Sequence, residues 1–254
     1  MKIIAIANQK GGVGKTTTAV NMAAGLVQKG YAVLCIDFDP QGNLSNYLGW
    51  EPDGKPTVSD LMTAAAQNNM DTVPESIRTS GEGVDYIPSD IALASADLFL
   101  SSVMCREQVL KRILSQPGLR HYDYIVVDCL PSLGILLTNA LTAADSLIIP
   151  VQAQKFALDG LGQLESVYTM VKENLNPNLE IAGVLLTMVD NTNMSRAVED
   201  ALAASYGDKL FTSRIHKSVE ASNSTYEQRS LVSKTSSRLG CEYRDMVDEY
   251  IERG

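Results

Sequence analysis

The stretch NQKGGVGKTTTA, from Asn8 to Ala19, places two lysines, Lys10 and Lys15, five positions apart around three glycines. Gly11, Gly12 and Gly14 allow the backbone to wrap closely and turn its N–H groups toward an anion, an approach that a Cβ would hinder. Lys15 then offers a point charge to β and γ phosphates, the Thr16 hydroxyl can ligate magnesium, and Val13 and Thr17 complete the loop. The common phosphate-cradling pattern G-x-x-x-x-G-K-[ST] is met only from Gly14 onward, because Gln9 stands where its first glycine belongs. One lysine suffices to hold a phosphate, so Lys10 calls for a purpose of its own.

Two acidic positions extend the chemistry. Asp128 closes the apolar run YDYIVVD, where a carboxylate at the C-terminal edge of a sheet would lie beside the loop and its metal. Asp37 and Asp39 flank Phe38 in DFDPQGN, and strand alternation puts both on one side, so one or both can face a bound nucleotide. The only two histidines, His121 and His216, are near neither motif. A carboxylate is therefore the residue expected to orient or deprotonate an attacking water, and Asp39, nearer the loop, is the choice. Asp39 and Asp128 would reach the magnesium through water.

These residues need a scaffold that brings strand ends and a helix start together. Short β-branched runs (3 to 7, 32 to 37, 84 to 88, 122 to 128, 146 to 151 and 181 to 189) alternate with helix-length stretches. That pattern predicts an α/β fold: a doubly wound, mostly parallel twisted sheet with helices on both faces. The first helix is expected from about Lys15 to Lys29 with Gly30 as its stop, so its N-terminal N–H groups and dipole face the loop. Residues 51 to 80 read as loops with one short helix. The 254 residues, 45% hydrophobic and 20% charged, fit a single domain over 1–254. No apolar run reaches the roughly 18 to 20 residues of a membrane span. Four dispersed cysteines suggest neither a zinc site nor a disulfide framework. A soluble protein of a reducing cytoplasm is expected.

The net charge of −9 argues against coating a polyanion with the whole surface. From Lys209 to Arg244, however, seven Lys/Arg face three acids. Such a patch can hold a phosphate backbone without reading sequence, and the candidate DNA contacts are Arg214, Lys217, Arg229, Lys234 and Arg238. The first strand begins at residue 2, with no helix-turn-helix ahead of it, so operator-specific binding is not expected. The last stretch, LGCEYRDMVDEYIERG, has an apolar stripe at Leu239, Tyr243, Met246, Val247, Tyr250 and Ile251, but its polar face is acidic. That is the wrong sign for a helix resting on anionic lipid, and the stripe predicts packing on the core.

Taken together, KGGVGKTTTAVNMAAGL, DFDPQGNLS, YDYIVVDCLPSLGILLTNAL and PVQAQKFALDGLGQL closely resemble the deviant P-loop ATPases of the ParA/Soj type, relatives of MinD. The resemblance spans nearly the whole chain. It implies a slow, partner-stimulated ATPase using ATP and Mg2+, with Lys10 as the signature lysine that reaches across a nucleotide-sandwiched homodimer to the partner's phosphates. It implies that Asp39 is the hydrolytic aspartate, that the ATP form binds DNA non-specifically on the nucleoid, and that a ParB-like centromere-binding protein stimulates release. The alternative within the superfamily is a MinD-like positioning ATPase at a membrane or cell pole. Two departures stand out. Cys129, Leu130 and Pro131 follow Asp128 where the family has one residue and two prolines, next to the γ phosphate. In IHKSVEASNST, from Ile215, Lys217 matches the first arginine of the family's run and Glu220 occupies the place of the second.

Overall fold

The computed structural model describes residues 1–69, 72–154 and 159–254. Residues 155 to 158, part of the last motif quoted above, lie outside them. Seven strands form one sheet: β1 (Lys2–Ile6), β2 (Val33–Phe38), β3 (Arg78–Thr79), β4 (Asp85–Ile87), β5 (Tyr124–Cys129), β6 (Ser146–Gln152) and β7 (Glu180–Thr187). Their order is β3-β4-β2-β5-β1-β6-β7, and every pairing is parallel except β3 with β4. The six predicted strands are present within two residues of their expected limits. Two-residue β3 is the one that periodicity could not reveal. It is fixed by Arg78, whose guanidinium holds Asp53 at 2.6 Å and the Pro56 carbonyl at 2.5 Å.

The helices are α1 (Lys15–Gln28), α2 (Asn43–Tyr47), α3 (Val58–Ala66), α4 (Ala96–Leu100), α5 (Val109–Leu114), α6 (Ile135–Ala143), α7 (Asp159–Asn174), α8 (Asn193–Tyr206), α9 (Glu220–Tyr226) and α10 (Arg238–Glu252). Alternation along the central strands divides the core in two. Ile4, Ile6, Cys35 and Val126 point to one face, where they pack with α1, α2 and α10. Ala5, Leu34, Ile36, Ile125 and Val127 point to the other, covered by α3 to α8. Asp128 pairs in register with Ile6 on one side and Asp37 on the other. The carboxylates therefore reach the C-terminal edge where the connections from β1 diverge, the position at which open α/β sheets hold ligands.

α1 ends at Gln28 with Lys29 as its C-cap, followed by Gly30 at φ 88°, as its stop signal predicts. α10 lies against α1, and the predicted stripe of Leu239, Tyr243, Met246, Val247 and Tyr250 is buried there, with Ile251 partly so. The Ser237 hydroxyl caps α10 by accepting from the Gly240 N–H at 2.9 Å. At Gly240 a Cβ would stand 2.2 Å from the Leu231 carbonyl oxygen and 3.1 Å from that of Lys234. Both obstacles are backbone and cannot swing aside. Gly240→Ala is expected to cost roughly 3 kcal/mol by overpacking, read as a lower urea midpoint with an unchanged slope; an unaltered midpoint would contradict this close approach.

Candidate active site

Two side chains that the sequence reading passed over hold the glycine loop in place. Asn8 is buried; its Nδ2 donates to the Pro150 carbonyl at 2.8 Å and its Oδ1 accepts from the Lys10 N–H at 3.0 Å, tying the loop's start to β6. At the other end the Thr187 hydroxyl donates to the Val13 carbonyl at 2.9 Å. Thr187 ends β7 at the ligand-binding edge of the sheet, and that position was the signal available for it. Gly12 and Gly14 take φ 72° and 87°, the left-handed region that favours glycine. Gly14 sits at the N-cap of α1 with no side-chain cap, leaving the helix's first N–H groups to face a ligand. A Cβ at Gly11 or Gly12, both exposed, would meet nothing within 4 Å, so within the protein it is the positive φ at Gly12 and Gly14, rather than crowding, that calls for glycine.

Lys15 is buried at the base of this loop, and its Nζ donates to the Lys10 carbonyl at 3.0 Å. Burial lowers its pKa, opposed by the negative field of Asp128, Cys129 and Asp39. Lys10 is half-buried on the rim, beside an open cleft of about 470 Å³ bordered by Gln9, Pro131, Ser132 and Leu133. Among the described residues its ammonium has no ion-pair or hydrogen-bond partner. Leu130, the first departure from the family pattern, packs partly buried against the core, while Pro131 borders the cleft.

The two aspartates of DFD take different tasks. Asp37 is fully buried: one oxygen accepts from the Ser45 N–H and hydroxyl at 2.8 and 2.6 Å, and the other from the Asp39 N–H at 3.2 Å. It is a brace between β2 and α2, with its acceptor capacity spent inside the protein. Asp39 uses one oxygen to accept from the Gln41 N–H at 3.0 Å, and the other has no bond among the described residues. The turn-capping and water-handling roles are therefore compatible in this one residue.

Asp128 is buried, and neither carboxylate oxygen has a hydrogen-bond partner among the described residues. Burial and then the nearby Asp37 push its pKa well up, while the Thr16 side chain and the Lys15 ammonium pull it back. Leaving a buried acceptor unsatisfied is costly, so the position fits a cation or a cation's water. Among the described residues no three His, Cys, Asp or Glu side chains form a metal cage. One hydroxyl beside one buried carboxylate suits magnesium, which keeps several waters and is commonly shared between one or two protein oxygens and substrate phosphates. Thr16 and Asp128 would supply the protein's share.

Burial raises the Asp37 pKa from 3.8 to about 6, against the lowering by its Ser45 bonds. The folded chain thus keeps a proton that the unfolded chain releases, and this group's contribution is lost as pH rises through about 6. Asp128 acts in the same sense. Glu249 acts in the opposite one: burial would raise it, but the Thr212 and Ser213 N–H groups hold it at about 2, below 4.5, so its contribution is lost only as pH falls toward 2. Nucleotide-free protein is therefore expected to be more stable at pH 5 than at pH 7, by on the order of 2 kcal/mol. Thermal unfolding at the two values checks this, and a higher midpoint at pH 7 would reverse it.

The basic segment is more internally paired than its charge count suggested. Arg214 pairs with Glu199, Lys234 with Glu227 at 2.5 Å and Arg238 with Glu242 at 3.0 Å, while Arg229 donates to the Ser233 hydroxyl at 3.2 Å. Lys217 has no ion pair within 4 Å among the described residues and acts at longer range on Asp190. Its N–H donates to the Val189 carbonyl at 3.0 Å, which sets it just beyond β7 at the sheet edge shared with the glycine loop. Exposed ion pairs contribute little and can reopen for another anion.

The family model described as an AAA domain matches residues 1–181. The chain is 41% identical over 256 residues to the sporulation initiation inhibitor protein Soj of Bacillus subtilis (strain 168), covering 100% of this chain and 99% of that protein. It is 40% identical over 225 residues to the chromosome partitioning protein ParA of Caulobacter vibrioides (strain NA1000 / CB15N), covering 87% and 83%. Among solved structures, cobyrinic acid a,c-diamide synthase from Mycobacterium smegmatis, with bound ADP and magnesium, matches at TM-score 0.82 and 32% identity over 98% of this chain and 93% of that one.

Proposed function

We propose the following cycle for this chain, which belongs to the ParA/Soj family of partition ATPases. ATP binds with magnesium in the loop of Lys10 to Thr17: backbone N–H groups and Lys15 take the phosphates, and Thr16 holds the metal. Asp128 would help to hold that ion through water, and Asp39 would orient the water that attacks the γ phosphate. When bound, magnesium screens the charge of the phosphates. Lys10 reaches the phosphates held by a second protomer, so that binding fuel and pairing become one event. A loose phosphoryl-transfer transition state gains from this extra positive charge.

The ATP-bound homodimer holds DNA without sequence preference through Lys217 and Arg229, joined by Arg214, Lys234 and Arg238 as their ion pairs open. Two copies of the patch double the phosphate contacts and steepen the dependence on salt. A ParB-like, centromere-bound partner stimulates hydrolysis and release, so the protein works on the nucleoid in the cytoplasm and partitions DNA. The membrane alternative has less support, because the apolar stripe of α10 that would settle on a lipid surface is spent on the core.

The observation that carries this reading is the division between the two lysines. Lys15 is buried under the loop, while Lys10 stands on its rim beside an open cleft with no partner for its ammonium among the described residues. The test is light scattering of an Asp39→Ala variant with ATP, with and without DNA. A dimer mass that requires ATP, and DNA binding that follows the dimer, are expected. A monomer under all conditions would remove the cross-subunit role of Lys10.

A further inference from the structure

A second place in the molecule carries an unmet polar demand, remote from the nucleotide loop. Arg112 on α5 donates from Nη1 to the Asn68 side-chain carbonyl at 3.0 Å. Its Nε and Nη2 are shielded from solvent and have no hydrogen-bond partner among the described residues. These two nitrogens form one edge of the guanidinium, the side-on fork that matches the two oxygens of a carboxylate. Arg112 borders a cleft of about 500 Å³ with Thr63, Gln67, Phe99, Val103 and Met104. Met104 is 88% exposed, and Leu98 on the adjacent α4 is 78% exposed. From Phe99 to Tyr122 the sequence has four cations (Arg106, Lys111, Arg112 and Arg120) and one acid, Glu107, within a chain of net charge −9.

We infer that this cleft docks an acidic segment of a partner protein, placing a Glu or Asp carboxylate on the Nε/Nη2 edge of Arg112 and an apolar neighbour against Phe99, Val103 and Met104. A basic band on an otherwise acidic body favours an acidic visitor. The apolar rim favours a peptide over a nucleic-acid backbone, which would bring no apolar group to it. Access needs side-chain movement at the rim, where Met104 is unbranched and adaptable. α3, α4 and α5 cover the sheet face opposite α10, so the cleft is separated by the sheet from Arg238 and its neighbours. Such a partner could be held without competing for that patch.

The probes are fluorescent, end-blocked ten-residue peptides of alternating Leu and Glu or alternating Leu and Gln, and a 20-base-pair duplex, each titrated against the full chain by anisotropy. The Glu peptide is expected to bind at least about tenfold more tightly than the Gln peptide, and to lose that preference in Arg112→Leu and Arg112→Lys, since lysine offers no fork. ATP turnover of Arg112→Leu should be unchanged and its unfolding temperature close to that of wild type, because removal of an unsatisfied buried donor edge offsets loss of the Nη1 bond to Asn68. Absent or equal binding of the two peptides would overturn the proposal. An unfolding temperature of Arg112→Leu markedly below that of Asn68→Gly, which loses only the Nη1 bond and keeps the left-handed backbone, would also overturn it, by showing that the chain itself satisfies the edge. So would displacement of the Glu peptide by the duplex from wild type, which would make the band a nucleic-acid surface.

Discussion

Replacing Asp39 by alanine is expected to lower ATP turnover by roughly 10²–10⁴-fold, the usual worth of a positioned acid–base group, while ATP affinity is retained. In the proposed cycle the phosphate contacts come from the loop and Lys15, which the substitution does not touch. Among the described residues Asp39 has one oxygen committed to the Gln41 N–H and one uncommitted, so alanine removes a turn cap together with the group proposed to handle water. Asp39→Asn separates these effects: its side-chain carbonyl can still accept from Gln41, but it cannot take a proton. If water handling dominates, the two variants lose turnover alike and both accumulate an ATP-bound dimer. If the cap dominates, Asp39→Asn keeps most of the activity and the assignment fails. Single-turnover phosphate release, with dimer lifetime followed by light scattering, distinguishes the two.

The asymmetry between Asp37 and Asp39 marks the limit of what the sequence made legible. Alternation predicts that both lie on one side of the strand, but it carries no information on which finds donors inside the protein. That depends on Ser45, eight residues on, whose N–H and hydroxyl converge on Asp37 only because α2 folds back over the strand end. The central strands and α1 were readable because burial on both faces writes itself as continuous apolar runs and glycine punctuates the ends. The loop itself was readable because its spacing is local. Its clamps, Asn8 and Thr187, act on Pro150 and Val13 across long sequence separations, so neither pairing is written locally, and only the place of Thr187 at the end of a strand hinted at it. The same holds for the basic segment: counting charges from 209 to 244 gives the right surplus, yet Arg214 is neutralised by Glu199 on α8, beyond the counted window. The unmet edge of Arg112 was invisible for the opposite reason, since nothing in VLKRIL distinguishes a satisfied arginine from an unsatisfied one.

Lys10→Ala is expected to abolish ATP-driven pairing and to lower turnover by about 10³-fold or more, the scale on which a charge delivered to a phosphoryl transition state acts. The Lys10 side chain makes no ion pair or hydrogen bond among the described residues, so its removal should leave the unfolding temperature and the monomer's nucleotide binding unaltered. The Lys10 carbonyl that accepts from Lys15 remains in the variant. Lys15→Ala has a different defect: it strips the buried cation from the loop and prevents binding of the phosphates, while Lys10 stays available to a partner. Mixing the two inactive variants therefore tests whether Lys10 acts across subunits. A mixed dimer holds one complete site, formed from the intact loop of the Lys10→Ala protomer and the Lys10 of the other. At equal concentrations half the dimers are mixed, so recovery of up to about a quarter of the wild-type sites is expected from random two-fold pairing. If Lys10 serves only its own loop, the mixture stays as inactive as its parts, and the proposed link between ATP and pairing is lost.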